Sequence, residues 1–176
     1  EGELVQLSRR HDLALDENTY FEIVRRKTAV LVGASCELGA KLSGATADEV
    51  ARMRAFGEQL GVAFQIQDDL LDLLGDEATV GKSILRDLEK GKLTLPMIMH
   101  IASTKGAERA AALDAIERRD PTALRAALER SGSIQGARSR AISIVAEAKR
   151  GLPATRRTHS RELLLELADR VVARDA

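Results

Sequence analysis

Phe64-Gln65-Ile66-Gln67-Asp68-Asp69-Leu70-Leu71-Asp72 places three carboxylates in the last turns of an otherwise apolar helical run. A helix C-terminus already carries partial negative charge and repels acidic side chains, so this arrangement calls for positive charge nearby. Asp68 and Asp72 are four apart and Asp69 and Asp72 three apart, a spacing that lets all three converge on one end of the helix. Such a cluster suits a hard, oxygen-seeking cation. Magnesium is the natural candidate, because it keeps some waters and shares its remaining positions with a substrate phosphate.

The bulk composition narrows the setting. A chain of 176 residues has room for one domain, and its 27 basic and 27 acidic residues leave no net field for nucleic acid or an anionic membrane. Aromatic residues make up only 2% and prolines number three, which points to an all-helical protein. No apolar run reaches membrane-spanning length and no signal-peptide pattern opens the chain, so a soluble protein without an integral membrane segment is expected. The single Cys36 excludes an internal disulfide framework and fits a cytoplasmic location. A first residue Glu1 rather than Met is what a processed or partial polypeptide shows.

Working outward from the acidic run, the periodicity predicts one long helix from about Asp16 or Glu17 to Ser43, stopped by Ser43-Gly44-Ala45. Thr46-Ala47-Asp48-Glu49 is a capping box that starts a second helix running to about Leu74. Its apolar seam is Val50, Met53, Gly57, Leu60, Phe64, Leu71 and Leu74, interrupted only by Gln67. Beside the seam runs a stripe of small and polar residues, Gly61, Gln65, Asp68 and Asp72, which has the character of a polar cavity wall.

A short turn near residues 44 to 47 makes the two helices an antiparallel hairpin in which facing residue numbers sum to about 91. Lys27 then falls opposite Phe64, within reach of Gln65 and Asp68. Lysine among Ile23, Val24, Val30 and Leu31 is costly without a counter-charge, and the acidic stripe is expected to supply it.

Beyond Gly75 lies a lysine-rich stretch punctuated by Gly81, Gly91 and Pro96, in which Lys82 and Lys92 can bring point charges to a phosphate. Gly81-Lys82-Ser83 is not a P-loop, because neither the strand nor the earlier glycine of that motif precedes it. Shorter helices are expected at about Pro96 to Ser103, Gly106 to Arg118, Pro121 to Arg130, Ile134 to Lys149 and Ala154 to Arg174. His11, His100 and His159 lack metal-ligand spacing, and Cys36 reads as a small core residue.

Three elements together resemble the C-terminal part of the trans-isoprenyl (polyprenyl) diphosphate synthases, of the medium- and long-chain, octaprenyl-like type. Arg26-Lys27-Thr28-Ala29 looks like the family's KT element, and Phe64 to Asp72 looks like its second aspartate-rich motif. Gly81-Lys82 with Asp87-Leu88-Glu89-Lys90-Gly91-Lys92-Leu93-Thr94-Leu95-Pro96 looks like the segment that follows. The resemblance implies an all-α isoprenoid-synthase-type bundle around a central cavity, working with Mg2+ on an allylic diphosphate and isopentenyl diphosphate, as a homodimer.

By that similarity Lys27, Thr28, Gln65 and Asp68 are catalytic; Lys27, Gln65, Lys82 and Lys92 bind diphosphate; and Asp68, Asp69 and Asp72 ligate the metal or brace the carboxylates that do. The family's first aspartate-rich motif is not among these 176 residues, so residues 1 to 176 read as a single all-helical portion carrying the second motif. Full activity is expected to require the missing N-terminal half. Two other readings stand beside the prenyltransferase: a non-catalytic regulatory subunit of a heteromeric synthase, and a class I terpene cyclase.

Overall fold

The computed structural model describes residues 1–74, 86–153 and 159–174. Among these the chain is helical throughout. Its elements are α1 (Gly2–Ser8), α2 (Glu17–Val24), a π-helical turn (Arg25–Ala29), α3 (Val30–Leu42), α4 (Ala47–Leu74), α5 (Arg86–Glu89), α6 (Leu95–Ser103), α7 (Gly106–Glu117), α8 (Pro121–Arg130), α9 (Ser133–Gly151) and α10 (His159–Val172).

Local chemistry explains most of the boundaries. The Asp16 carboxylate accepts from the Thr19 N–H at 2.8 Å to start α2. At the head of α4, Glu49 Oε2 accepts the Thr46 N–H at 2.8 Å while the Thr46 hydroxyl oxygen accepts the Glu49 N–H at 3.4 Å, which is the reciprocal capping box read from the sequence. Asp120 caps α8 ahead of Pro121 in the same way. The long first helix departs from expectation: it is continuous in space but widened by the π turn at Arg25-Arg26-Lys27-Thr28-Ala29. Two short helices, α1 and α5, carry too few residues for a periodic signal and are additions to the sequence reading.

The α3–α4 hairpin is held at unusually close range. A Cβ on Gly57 would lie 2.7 Å from the Val32 carbonyl oxygen and 2.9 Å from the Gly33 Cα, and one on Gly61 would lie 2.6 Å from the Ala29 Cα. These pairs have residue numbers summing to 89 or 90, so the expected register holds. Cys36 is half-buried at this seam, and burial pushes its thiol pKa up.

The buried face of α4 differs from the expected seam. Phe56, Leu60, Ala63, Ile66, Leu70 and Leu73 are the buried apolar residues, whereas Val50, Met53, Leu71 and Leu74 are half-buried and Phe64 is 40% exposed. The reason is that α4 packs between α3 and α9, which buries parts of two faces that a single-stripe reading merges. Gln67, the interruption in the expected seam, is buried because its amide donates to the Arg174 carbonyl oxygen, while the Arg174 guanidinium sits 5.3 Å from the Phe64 ring centroid. On the outer side of α3, Leu31, Leu38 and Leu42 are exposed.

Replacing Gly57 with Val forces the Val32–Gly33 backbone away from α4. A stability loss of about 1–3 kcal/mol by chemical denaturation is expected; an unchanged midpoint would contradict this close approach.

Candidate functional site

Asp69 points inward and is fully buried. Its Oδ2 accepts the Tyr20 hydroxyl at 2.7 Å, and its Oδ1 accepts the Gln65 amide at 3.0 Å and the Lys92 ammonium at 2.8 Å. Lys92 also donates to Asp87 at 2.5 Å. One carboxylate thus ties α2, α4 and the segment after α5 together. Burial pushes the Asp69 pKa above its ordinary value, against the opposing pull of Lys92. Burial lowers the Lys92 pKa, but Asp69 and Asp87 outweigh it and the ammonium pKa is raised. Burial, with Asp69 beside it, holds the Tyr20 hydroxyl firmly protonated.

The three carboxylates of the motif therefore sit in different surroundings. Asp68 is exposed, and its closest described donor is the Gln65 amide at 3.5 Å. Asp72 is half-buried and accepts the Asp87 backbone N–H at 3.2 Å; burial raises its pKa while that hydrogen bond opposes the rise. Among the described residues no group of three or more His, Cys, Asp or Glu side chains is placed to hold a metal ion. Asp68 keeps its oxygens open.

Thr28 and Gln65 meet across the hairpin, the hydroxyl donating to Gln65 Oε1 at 3.1 Å. Lys27 lies one residue away on the exposed side of the π turn. Its counter-charge is not the acidic stripe: the ammonium donates to Gln6 at 2.8 Å and pairs with Glu3 at 3.1 Å, both from α1. The sequence reading missed this because α1 is only 7 residues long. A small cleft nevertheless brings Lys27, Gln65 and Lys92 together, with Arg9, Gln6, Tyr20 and the apolar Leu15, Ile23, Val24 and Leu93 also in its wall. Lys82 lies outside the described residues.

Arg9, Gln6, Tyr20 and Asp87 are the site residues that sequence reasoning did not single out. The only signal available was helical spacing along α2 and the π turn, which puts Tyr20, Ile23, Val24 and Lys27 on neighbouring turns.

With this geometry in view, the family model described as polyprenyl synthetase matches residues 1–131. The chain belongs to that family. Among curated members, the short chain isoprenyl diphosphate synthase of Methanothermobacter thermautotrophicus is 30% identical over 178 residues, covering 99% of this chain and 55% of that protein. The octaprenyl diphosphate synthase of Escherichia coli is 34% identical, again covering 99% of this chain and 55% of its own length. A crystal structure of polyprenyl synthase from Caulobacter crescentus, complexed with calcium and isoprenyl diphosphate, superposes with a TM-score of 0.90 at 37% identity, covering 99% of this chain and 55% of the other. The chain thus spans about half the length of the polyprenyl synthetase relatives it matches. Their all-helical fold is shared, as expected from the sequence.

The Asp69–Lys92 pair generates a pH prediction. Lys92→Met removes the main influence that lowers the Asp69 pKa and leaves a buried carboxylate unpaired, a loss of about 3–5 kcal/mol at neutral pH. A raised carboxylate pKa in the fold favours the protonated form, so stability is recovered as pH falls through that value and lost as pH rises. Denaturation across pH should show the gap between variant and parent narrowing on acidification. A gap independent of pH would mean that Asp69 is not the uncompensated group.

Proposed function

We propose that the complete protein is a trans-prenyltransferase that condenses isopentenyl diphosphate with an allylic diphosphate to make a polyprenyl diphosphate. The observation that supports this most directly is the cleft in which Arg9, Lys27 and Lys92 gather beside Gln65, one turn from the open carboxylate of Asp68. Arg9 is paired there with Asp12, Lys27 with Glu3 and Lys92 with Asp69 and Asp87, so an anionic ligand carrying its own divalent cation would draw on the donors that these pairs leave free. A magnesium ion bound by one or two carboxylates and otherwise by substrate oxygens and water needs no closed protein cage, so Asp68 and Asp72 fit as its protein ligands. Asp69, occupied by Tyr20, Gln65 and Lys92, acts here by holding Lys92 in place.

In this reading Lys27, Lys92 and Lys82 bind the diphosphate, together with the Gln65 amide. The allylic carbon–oxygen bond breaks with its electron pair going to the diphosphate, whose developing charge the lysines stabilise through fixed electrostatics. Bound magnesium supplies further neutralisation of that leaving group. Thr28 and Gln65, held 3.1 Å apart, orient oxygen dipoles toward the allylic cation. The alkene of isopentenyl diphosphate attacks the cation to form the new carbon–carbon bond, and loss of a proton restores an alkene.

The chain supplies one wall of such a site, and the other wall, with the family's first aspartate-rich motif, comes from outside these 176 residues. A cytoplasmic homodimer is the accompanying proposal. Among the described residues no helix is long and apolar enough to cross a membrane.

Asp68→Ala in the complete enzyme is expected to lower turnover by about 10²-fold or more, on the scale of losing one charge-stabilising group. Stability should stay within about 0.5 kcal/mol, because Asp68 is exposed at an unfavourable helix end. Turnover of isopentenyl diphosphate with an allylic primer and magnesium, alongside thermal melting, checks both. Undiminished turnover would remove Asp68 from the metal site.

A further inference from the structure

Each cation of the cleft is paired, but the pairs differ in how firmly they are held. Lys92 meets Asp69 and Asp87, whose side chains are 0% and 19% exposed, and Arg9 meets Asp12, at 26%. Lys27 meets Glu3, whose side chain is 58% exposed and well solvated. An ion pair at the surface contributes little, because water already stabilises each charge, whereas breaking a buried pair strands a charge away from water. Lys27 is therefore the cation of the cleft that an incoming anion takes over most easily.

The backbone holds α1 against this lysine. Gly2 is buried on the π turn, and a Cβ there would lie 2.6 Å from the Arg26 carbonyl carbon and 2.7 Å from the Lys27 Cα. That contact sets the face of α1 carrying Glu3 and Gln6, three residues apart, on the Lys27 ammonium. Gln6 accepts from the ammonium at 2.8 Å. An ammonium only donates, so the amide oxygen of Gln6 must face it and the NH2 group is turned away. Gln6 also lines the cleft, and among the described residues its NH2 group makes no hydrogen bond.

We propose that α1 belongs to the diphosphate site: Gln6 positions the Lys27 ammonium and offers its NH2 group to a diphosphate oxygen, and Glu3 is the resting counter-charge that the diphosphate displaces. The inference rests on the reading of the cleft as a diphosphate site. A diphosphate offers more charge and more acceptor oxygens than one solvated carboxylate, so it draws the ammonium from Glu3. Gln6, being neutral, stays on Lys27 in both states. When the product diphosphate leaves, Glu3 takes the ammonium back, which favours release.

Inorganic pyrophosphate with magnesium is the probe, titrated calorimetrically into the purified complete protein at about 0.15 M ionic strength, where distant exposed charges are screened. Glu3→Gln removes the charge at constant size, and Glu3 is too exposed for the change to threaten folding. It is expected to tighten binding about threefold to fivefold, the scale of one exposed ion pair. In the Lys27→Met background the same change should have no effect, because Glu3 acts through that ammonium. Gln6→Met should weaken binding at least about fivefold, the scale of one hydrogen bond. Unchanged affinity in Glu3→Gln or in Gln6→Met would overturn the proposal. Equal tightening with and without Lys27 would do the same, since a general repulsion between Glu3 and the anion produces it. Those outcomes leave the cleft a diphosphate site provided that Lys27→Met itself weakens binding at least about tenfold. If Lys27→Met binds as the parent does, or the parent binds nothing, the reading of the cleft fails and this inference with it.

Discussion

A carboxylate with no exposed surface sits at the end of α4, and the structure around it is arranged to keep it charged. Lys92, Tyr20 and Gln65 replace the water that Asp69 gives up, and they oppose the burial that raises its pKa. Desolvating two charges costs several kcal/mol each, and the attraction between them offsets this only where the remaining hydrogen-bonding positions are also filled. Here they are. The cost of breaking the pair is consequently large even if its net contribution is small. That asymmetry fixes α2, α4 and the segment after α5 in one arrangement.

The second constraint is the distance between the hairpin helices. Gly57 and Gly61 let the α3 backbone and the π turn approach α4 to within contact of main-chain atoms. This proximity puts Thr28 on Gln65, and Gln65 in turn on Asp69. The π turn also determines where Lys27 emerges. An uninterrupted α-helix would place it differently relative to α1, whose Gly2 lies directly against the Arg26–Lys27 backbone. A packing decision made by small residues is thereby transmitted to the charged groups of the cleft.

Charge is divided between the two sides of α4's final turns. The inward carboxylate is neutralised within the protein, while Asp68 faces outward with its oxygens open. A cluster that looks uniform in sequence is a structural acid beside one open to solvent. Lys92 then joins the buried acid to the cleft, its ammonium committed to Asp69 and Asp87 while the residue lines the wall.

Helical content, the capping box at Thr46, the hairpin register and the positions of the later helices were legible in the sequence, because each rests on interactions within a few residues or on a single turn. Membership of the polyprenyl synthetase family was legible too, through Lys27-Thr28, the Phe64 to Asp72 run and the Gly91-Lys92 segment in order. The tertiary structure alone decided which face of α4 is buried, since that depends on α9, some 70 residues downstream. It also decided that Glu3 and Gln6 hold Lys27, and that Asp69 is buried while Asp68 is exposed. Adjacent helical residues point about 100° apart, so spacing identifies candidates for a shared site, but burial depends on what packs against each. The partners of Asp69 are separated from it by 49 residues at Tyr20 and 23 at Lys92, and no local pattern encodes a contact made only when the chain folds back on itself.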